Sequence, residues 1–142
     1  MIVQFYGVTF DMPTGWEDIT DNLPAGSPPT LAKASGVGAV QFSIATYHSG
    51  KNPNVNFNDL RSFMIEFCQN NSIDSKDISS AKNNNIMCVG LASKTEDETL
   101  SAWYLSNGKD VVFVTYVASS EDAGRINKEL TEAKTMISSM SF

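Results

Sequence analysis

Leu100-Ser101-Ala102-Trp103-Tyr104-Leu105-Ser106, then Asn107-Gly108, then Asp110-Val111-Val112-Phe113-Val114-Thr115-Tyr116-Val117-Ala118, is the stretch that decides the fold. The second run is rich in β-branched residues, and the Asn-Gly between the two runs is a strong hairpin signal. The pair therefore predicts two antiparallel strands joined by a two-residue type I′ turn. The continuous run Val111-Val112-Phe113-Val114 suits a strand buried on both faces in the middle of a sheet. A third run, Ile86–Lys94, precedes them, so three strands follow one another through residues 86–118.

Upstream, Ile2–Phe5 and Val8–Met12 read as two short strands around Gly7, with Val8, Phe10 and Met12 alternating with Thr9 and Asp11. Pro13-Thr14-Gly15 is a turn, because Pro sets φ and Gly accepts a positive one. Trp16–Thr20 starts a third strand. The segment 21–30 carries Pro24, Gly26, Pro28 and Pro29 and reads as a loop. Leu31–Ala34 returns as a strand, and Gly36–Tyr47 is a long one, with Val40, Phe42 and Ile44 on one face. Residues 48–56 form a second polar loop.

Two helices are expected. In Asn58–Asn71, Leu60, Phe63, Met64 and Phe67 fall at i, i+3, i+4 and i+7 and make one apolar stripe. Asn56 or Asn58 caps this helix, and Asp59 opposes its dipole. Glu121–Ser139 is the second, striped by Ile126, Leu130, Ala133 and Ile137 and capped by Ser119 or Ser120, with Glu121 and Asp122 in its first turn. Ile73–Ser80 reads equally as strand or as irregular chain. The order strands, helix, strands, helix gives an α+β fold, a central antiparallel sheet flanked by helices.

The chain has 142 residues, which suits one domain spanning 1–142 with a core of its own. Its net charge is −6, which argues against a nucleic-acid partner, since such binding needs Lys and Arg to neutralise phosphates. It suits a basic protein partner, and it also suits plain solubility. The N-terminus lacks the basic and apolar regions of a secretory signal, and no apolar run reaches the ~20 residues of a membrane span, so a cytoplasmic protein without a membrane role is expected. Cys68 and Cys88 sit in apolar patterns and read as buried free thiols.

The motif Phe10-Asp11-Met12-Pro13-Thr14-Gly15-Trp16 resembles the opening hairpin of the PsbP-like superfamily. The helix in mid-chain, the strands around Asn107-Gly108 and the closing helix ending in Ile137-Ser138-Ser139-Met140-Ser141-Phe142 extend the resemblance over nearly the whole chain. That superfamily includes a subunit of the oxygen-evolving photosystem, a Ran-binding import factor and the bacterial DcrB-like proteins. The resemblance implies an α/β/α sandwich and a binding role rather than an enzymatic one. Two bacterial roles fit a domain of this size. One is an immunity protein that blocks a toxin arriving by contact-dependent or type VI delivery. The other is a DcrB-like chaperone of a type VI secretion effector. The Ran-binding surface finds no residue-by-residue match.

No catalytic, cofactor or metal motif stands in the sequence. His48 is the only histidine and has no Cys or His at ligand spacing, so it reads as a solvated loop residue. Gly36-Val37-Gly38 enters a strand rather than opening a helix, so it is no phosphate cradle. Acidic residues group in three places. Glu121-Asp122 is explained by the helix dipole. Asp11, Glu17, Asp18 and Asp21 have no cation between them, and Glu96, Asp97 and Glu98 sit between two strands. These two groups are the candidate docking residues for a basic toxin, a nuclease among the possibilities. Trp16 beside the first group is either a core residue or a partly exposed interface anchor. Trp103, on a strand face with Leu105, is expected in the core. Whether the protein is a monomer is left open by the sequence, with a monomer favoured.

Overall fold

The computed structural model describes residues 1–46, 52–119 and 121–142. The strands are β1 (Ile2–Phe5), β2 (Val8–Asp11), β3 (Trp16–Asp18), β4 (Thr30–Lys33), β5 (Gly38–Ala45), β6 (Ser79–Asn83), β7 (Ile86–Lys94), β8 (Thr99–Ser106) and β9 (Val111–Ala118). The helices are α1 (Phe57–Asn70) and α2 (Ala123–Ser139). Strands β3-β4-β5-β9-β8-β7-β6 form one seven-stranded sheet, antiparallel throughout. β1 and β2 make a separate hairpin.

Alternation along the strands sorts side chains to two faces. Val40 and Phe42 of β5, Trp103 and Leu105 of β8, and Val112, Val114 and Tyr116 of β9 point to one face, where α2 and the β1–β2 hairpin cover them. Phe10 stacks on Phe42, with ring centroids 5.5 Å apart, and that contact seats the hairpin on the sheet. On the other face α1 buries Leu60, Met64 and Cys68 against Val89, Leu91 and Ala102. Helices thus lie on both faces of the sheet, and β9 runs through its centre as the Val111–Val114 run predicts.

α1 lies mainly over the β7–β8 side of its face and reaches β9 where Phe67 packs edge-on against Phe113, ring centroids 5.0 Å apart. Phe63, at the margin of the helix stripe, remains exposed but tilts against Tyr104, and Tyr104 stacks on Phe113. Asn56 is the cap, in a reciprocal capping box: its side chain accepts from the Asp59 N–H, and the Asp59 side chain accepts from the Asn56 N–H.

Several boundaries differ from the sequence expectation, each for a local reason. The type I′ turn expected at Asn107-Gly108 is a four-residue connection, because β8 and β9 pair at Ser106 and Val111. There the Asn107 side chain accepts from the N–H groups of Lys109 and Asp110 at 3.0 and 2.8 Å, and Gly108 alone has a positive φ, +94°. The two-residue turn with both central φ positive lies instead at Tyr6-Gly7, between paired Phe5 and Val8. β3 stops at Asp18, whose carboxylate accepts from the Thr20 N–H and hydroxyl at 3.0 and 2.6 Å and turns the chain into a short 3₁₀ helix, Thr20–Asn22. In the ambiguous 73–80 segment the chain is irregular until β6 begins at Ser79. α2 begins at Ala123, not Glu121, and its cap is Asp122 rather than Ser119 or Ser120, because the Asp122 carboxylate reaches the Arg125 N–H at 3.1 Å. Ser120, and Tyr47 at the end of the expected long strand, lie outside the described residues. Cys68 is buried and Cys88 half-buried, and both are free thiols.

The sheet edges are guarded unequally. β3 is three residues long and carries Glu17 and Asp18, and β6 carries Lys82, the usual protections against strand addition. In the hairpin, the outward groups of β2 are taken up by the C-terminal segment: Thr9 exchanges two backbone hydrogen bonds with Ser141, and the Asp11 N–H donates to the Ser139 hydroxyl. β1 has neither charge nor Pro, pairs only with β2, and leaves Met1, Ile2 and Tyr6 exposed beside it.

Candidate functional site

The two acidic groups do not form one surface. Asp18 pairs with Leu31, and that row crosses Val40 and Tyr116 to Ser101 in β8. Four strand spacings separate β3 from β8, about 19 Å at ~4.8 Å each. Within the first group, Asp11 holds the amino terminus of Met1 at 2.6 Å, and Asp18 is spent on its turn. Glu17 and Asp21 are exposed. Trp16 is a core residue, only 3 % exposed, which removes the interface-anchor reading. Its position explains this: it pairs with Lys33 on the α2 face of the sheet and joins the main core. Its indole N–H finds no partner there.

Glu96, Asp97 and Glu98 form an exposed turn between β7 and β8, closed by the Thr95 N–H donating to the Glu98 carbonyl at 2.8 Å. The Thr95 hydroxyl accepts from the N–H groups of Asp97 and Glu98 at 3.3 and 3.1 Å, so the turn is pinned from inside. None of the three carboxylates forms an ion pair or hydrogen bond among the described residues. The structure adds Glu121 to this end of the sheet, because Ala118, the last residue of β9, pairs with Thr99 at the start of β8. Sequence distance concealed that neighbourhood. Asp122 beside it is occupied as the α2 cap and as the partner of Arg125 at 3.5 Å.

Gly36-Val37-Gly38 does cradle an anion, and the anion belongs to the protein. The Glu129 carboxylate, on α2 and only 4 % exposed, accepts from the N–H groups of Val37 and Gly38 at 2.9 and 3.0 Å and from the Tyr116 hydroxyl at 3.0 Å. Burial, then the hydrogen bond to Glu129, then its charge push the Tyr116 phenol well above its ordinary range. A side chain at Gly38 would stand 2.6 Å from the Tyr116 ring and hydroxyl, so this approach requires glycine. Sequence reasoning passed over Glu129. The available signal is its place within the apolar stripe, three residues after Ile126 and four before Ala133.

Around this lock lie Lys33, bonded to Glu132 at 2.8 Å, Arg125, donating to the Ser35 carbonyl at 3.3 Å, and Lys128. Two of these three cations already have carboxylate partners, so the cluster is close to neutral and makes a poor anion site. No group of three or more His, Cys, Asp or Glu among the described residues stands close enough to hold a metal ion, and His48 lies outside them. Burial raises the Cys88 thiol to about 11 and also raises that of Cys68, which makes both poor nucleophiles near neutral pH. No helix among the described residues is long and apolar enough to cross a membrane.

No protein-family model matches the sequence, and no curated protein matches it. Solved structures do. A protein from Bacteroides thetaiotaomicron VPI-5482 superposes with a TM-score of 0.59 at 14% identity over 94% of this chain. This chain spans 44% of that protein, less than half its length. The solution structure of cyanobacterial PsbP (CyanoP) from Synechocystis sp. PCC 6803 also gives a TM-score of 0.59 at 14% identity, covering 95% of this chain and 86% of that one. At such identity the likeness speaks for architecture alone: the chain has a PsbP-like fold, an antiparallel sheet with a helix on each face.

Proposed function

We propose that this protein is a non-enzymatic protein-binding module that captures and blocks a basic protein, in the role of a bacterial immunity protein. The observation that carries the reading is the Glu96-Asp97-Glu98 turn, with three exposed and unpartnered carboxylates on a turn pinned by Thr95. Like charges held together repel, and a basic surface relieves that repulsion on docking. The pinned turn also loses little conformational freedom when bound. The net charge of −6 adds long-range attraction that speeds capture at low salt. The partner in this reading is a basic toxin from contact-dependent or type VI delivery, and the mechanism is occlusion of its active cleft.

The test is protection from a toxin encoded beside the gene, together with its binding in vitro. Expression of the protein restores growth. The triple reversal Glu96→Lys, Asp97→Lys and Glu98→Lys slows association by roughly tenfold or more and flattens its salt dependence. Unchanged association and salt dependence in that variant rules out docking through the turn.

A second reading, a chaperone of a secretion effector, is favoured by a different observation: the unguarded β1 edge beside exposed Met1, Ile2 and Tyr6. Free N–H and C=O groups on such an edge accept an extended segment by strand addition. Gln4→Pro blocks that addition and leaves the acidic turn alone. A chaperone loses effector binding in this variant, while an immunity protein retains protection.

A further inference from the structure

On the face that α2 covers, the sheet runs out from under the helix on the β6–β7–β8 side. Ser79, Gly90, Ala92 and Ser101 are small neighbours there, and they leave a recess of about 210 Å³ walled by Trp103 and by Leu130 of α2. Gly90 makes the space: a Cβ there would lie 3.0 Å from Cδ1 of Trp103 and 3.3 Å from the Ser79 hydroxyl. Two polar groups in the wall lack partners. Ser101 is 3 % exposed and Trp103 8 % exposed, yet neither the Ser101 hydroxyl nor the Trp103 indole N–H bonds to any described residue. Neither atom is sealed off as the Trp16 N–H is, so both remain reachable from the recess. Buried polar groups are normally satisfied, and unsatisfied ones in a cavity wall ask for a ligand or ordered water.

The rim supplies opposite charges. Asp77 precedes β6, and Lys134 lies one helical turn beyond Leu130 on α2. Both are exposed, both line the recess, and they pair neither with each other nor with any other described residue. A carboxylate and an ammonium facing one cavity without meeting are complementary to a molecule carrying both charges.

We infer that this recess binds a small zwitterion, the head group of a free α-amino acid. The ligand carboxylate sits toward Lys134 and accepts from the Trp103 indole N–H and the Ser101 hydroxyl. Its ammonium donates to Asp77. The recess is small beside the roughly 300–1,000 Å³ of sites for larger ligands, which suits an amino acid of glycine, alanine or serine size. A protein chain terminus offers only one of the two charges and satisfies half of the site. This binding is independent of the acidic turn and of the β1 edge.

The test follows the Trp103 indole N–H resonance in ¹⁵N-labelled protein during titration with glycine, L-alanine and L-serine, with acetate and methylammonium as single-charge controls. The amino acids move that resonance saturably, while the controls bind more weakly. Lys134→Ala, Asp77→Asn and Ser101→Ala each weaken amino-acid binding, roughly tenfold for each charge removed. The first two change exposed side chains and leave the fold intact. The inference is overturned if none of the three amino acids moves the Trp103 signal. It is equally overturned if acetate binds as well as glycine, or if Asp77→Asn leaves glycine binding unchanged.

Discussion

Glu129 is the most testable structural element, because two of its three partners are backbone N–H groups that no substitution elsewhere can remove. Replacing it with Ala leaves the N–H groups of Val37 and Gly38 and the Tyr116 hydroxyl without their acceptor. An unsatisfied buried donor costs about 1–3 kcal/mol, and removing one side of a buried charged contact about 3–5. Val37 and Gly38 are only half-buried, so water recovers part of the loss, and about 3 kcal/mol is expected. Glu129→Gln keeps one acceptor oxygen and turns an NH₂ toward one of the three donors, for a loss of about 1.5–3 kcal/mol. Glu129→Leu separates this arrangement from an ordinary buried ion pair. Apolar replacement often rescues such pairs, but here the loop N–H groups persist, so Leu is no more stable than Ala. Urea unfolding followed by circular dichroism reads the effect. With m near ~2 kcal/mol/M, a 3 kcal/mol loss lowers the midpoint by about 1.5 M at constant m. A Glu129→Ala variant within ~1 kcal/mol of the parent, or a Leu variant as stable as the parent, refutes the reasoning.

Tyr116→Phe removes one of the three donors and costs about 1 kcal/mol at neutral pH. It also changes alkaline behaviour. The folded state keeps the phenolic proton after the unfolded chain has released it, so this stabilisation is whole below about pH 10 and falls by ~1.4 kcal/mol per unit above it. The Phe variant lacks that increment in urea titrations at pH 10–11, while the slope from the raised Cys68, Cys88 and Tyr104 remains. Asn56→Ala breaks the capping box of α1 and costs about 1 kcal/mol, read from the same unfolding curves. Gly38→Ala forces a Cβ to 2.6 Å from Tyr116 and costs about 1–3 kcal/mol, with loss of the Tyr116–Glu129 bond visible as a lowered phenol pKa in ultraviolet titration.

Period and punctuation carried most of the fold. β7, β8 and β9 follow their expected runs to within a residue, because a one-residue slip would turn their buried side chains to the other face. Turn chemistry was less legible. Asn107-Gly108 has the composition of a two-residue turn, but the Ser106 hydroxyl accepts from the Gly108 N–H and donates to the Asp110 carbonyl, which stabilises a longer connection. Charge was the least legible. Asp11, Asp18 and Asp122 look alike in sequence to Glu96 and Glu121, yet the first three are engaged at a terminus, a turn and a helix cap. Glu129 reads as a stray charge in an apolar stripe until the sheet brings a Gly-x-Gly loop from 91 residues away to meet it.

The two tight loops at one end of the sheet matter together. The β4–β5 loop is clamped through Glu129, and the β7–β8 turn is clamped through Thr95. They share that end because Gly38 and Thr99 both pair with Ala118. One side of this end is close to neutral, with Lys33 and Arg125 matched by Glu132 and Asp122. The other side presents unpaired carboxylates. In the proposed role, a basic partner approaching this end meets a clamped surface with a charge gradient across it, which orients it before contact. Loosening the clamp at Glu129, a buried carboxylate, while leaving every exposed acidic residue of the turn in place separates the two contributions. If preorganisation matters, Glu129→Gln speeds dissociation of a bound basic partner with little change in association. If charge alone sets the affinity, dissociation stays at its parent rate and only association shifts slightly with the one lost charge.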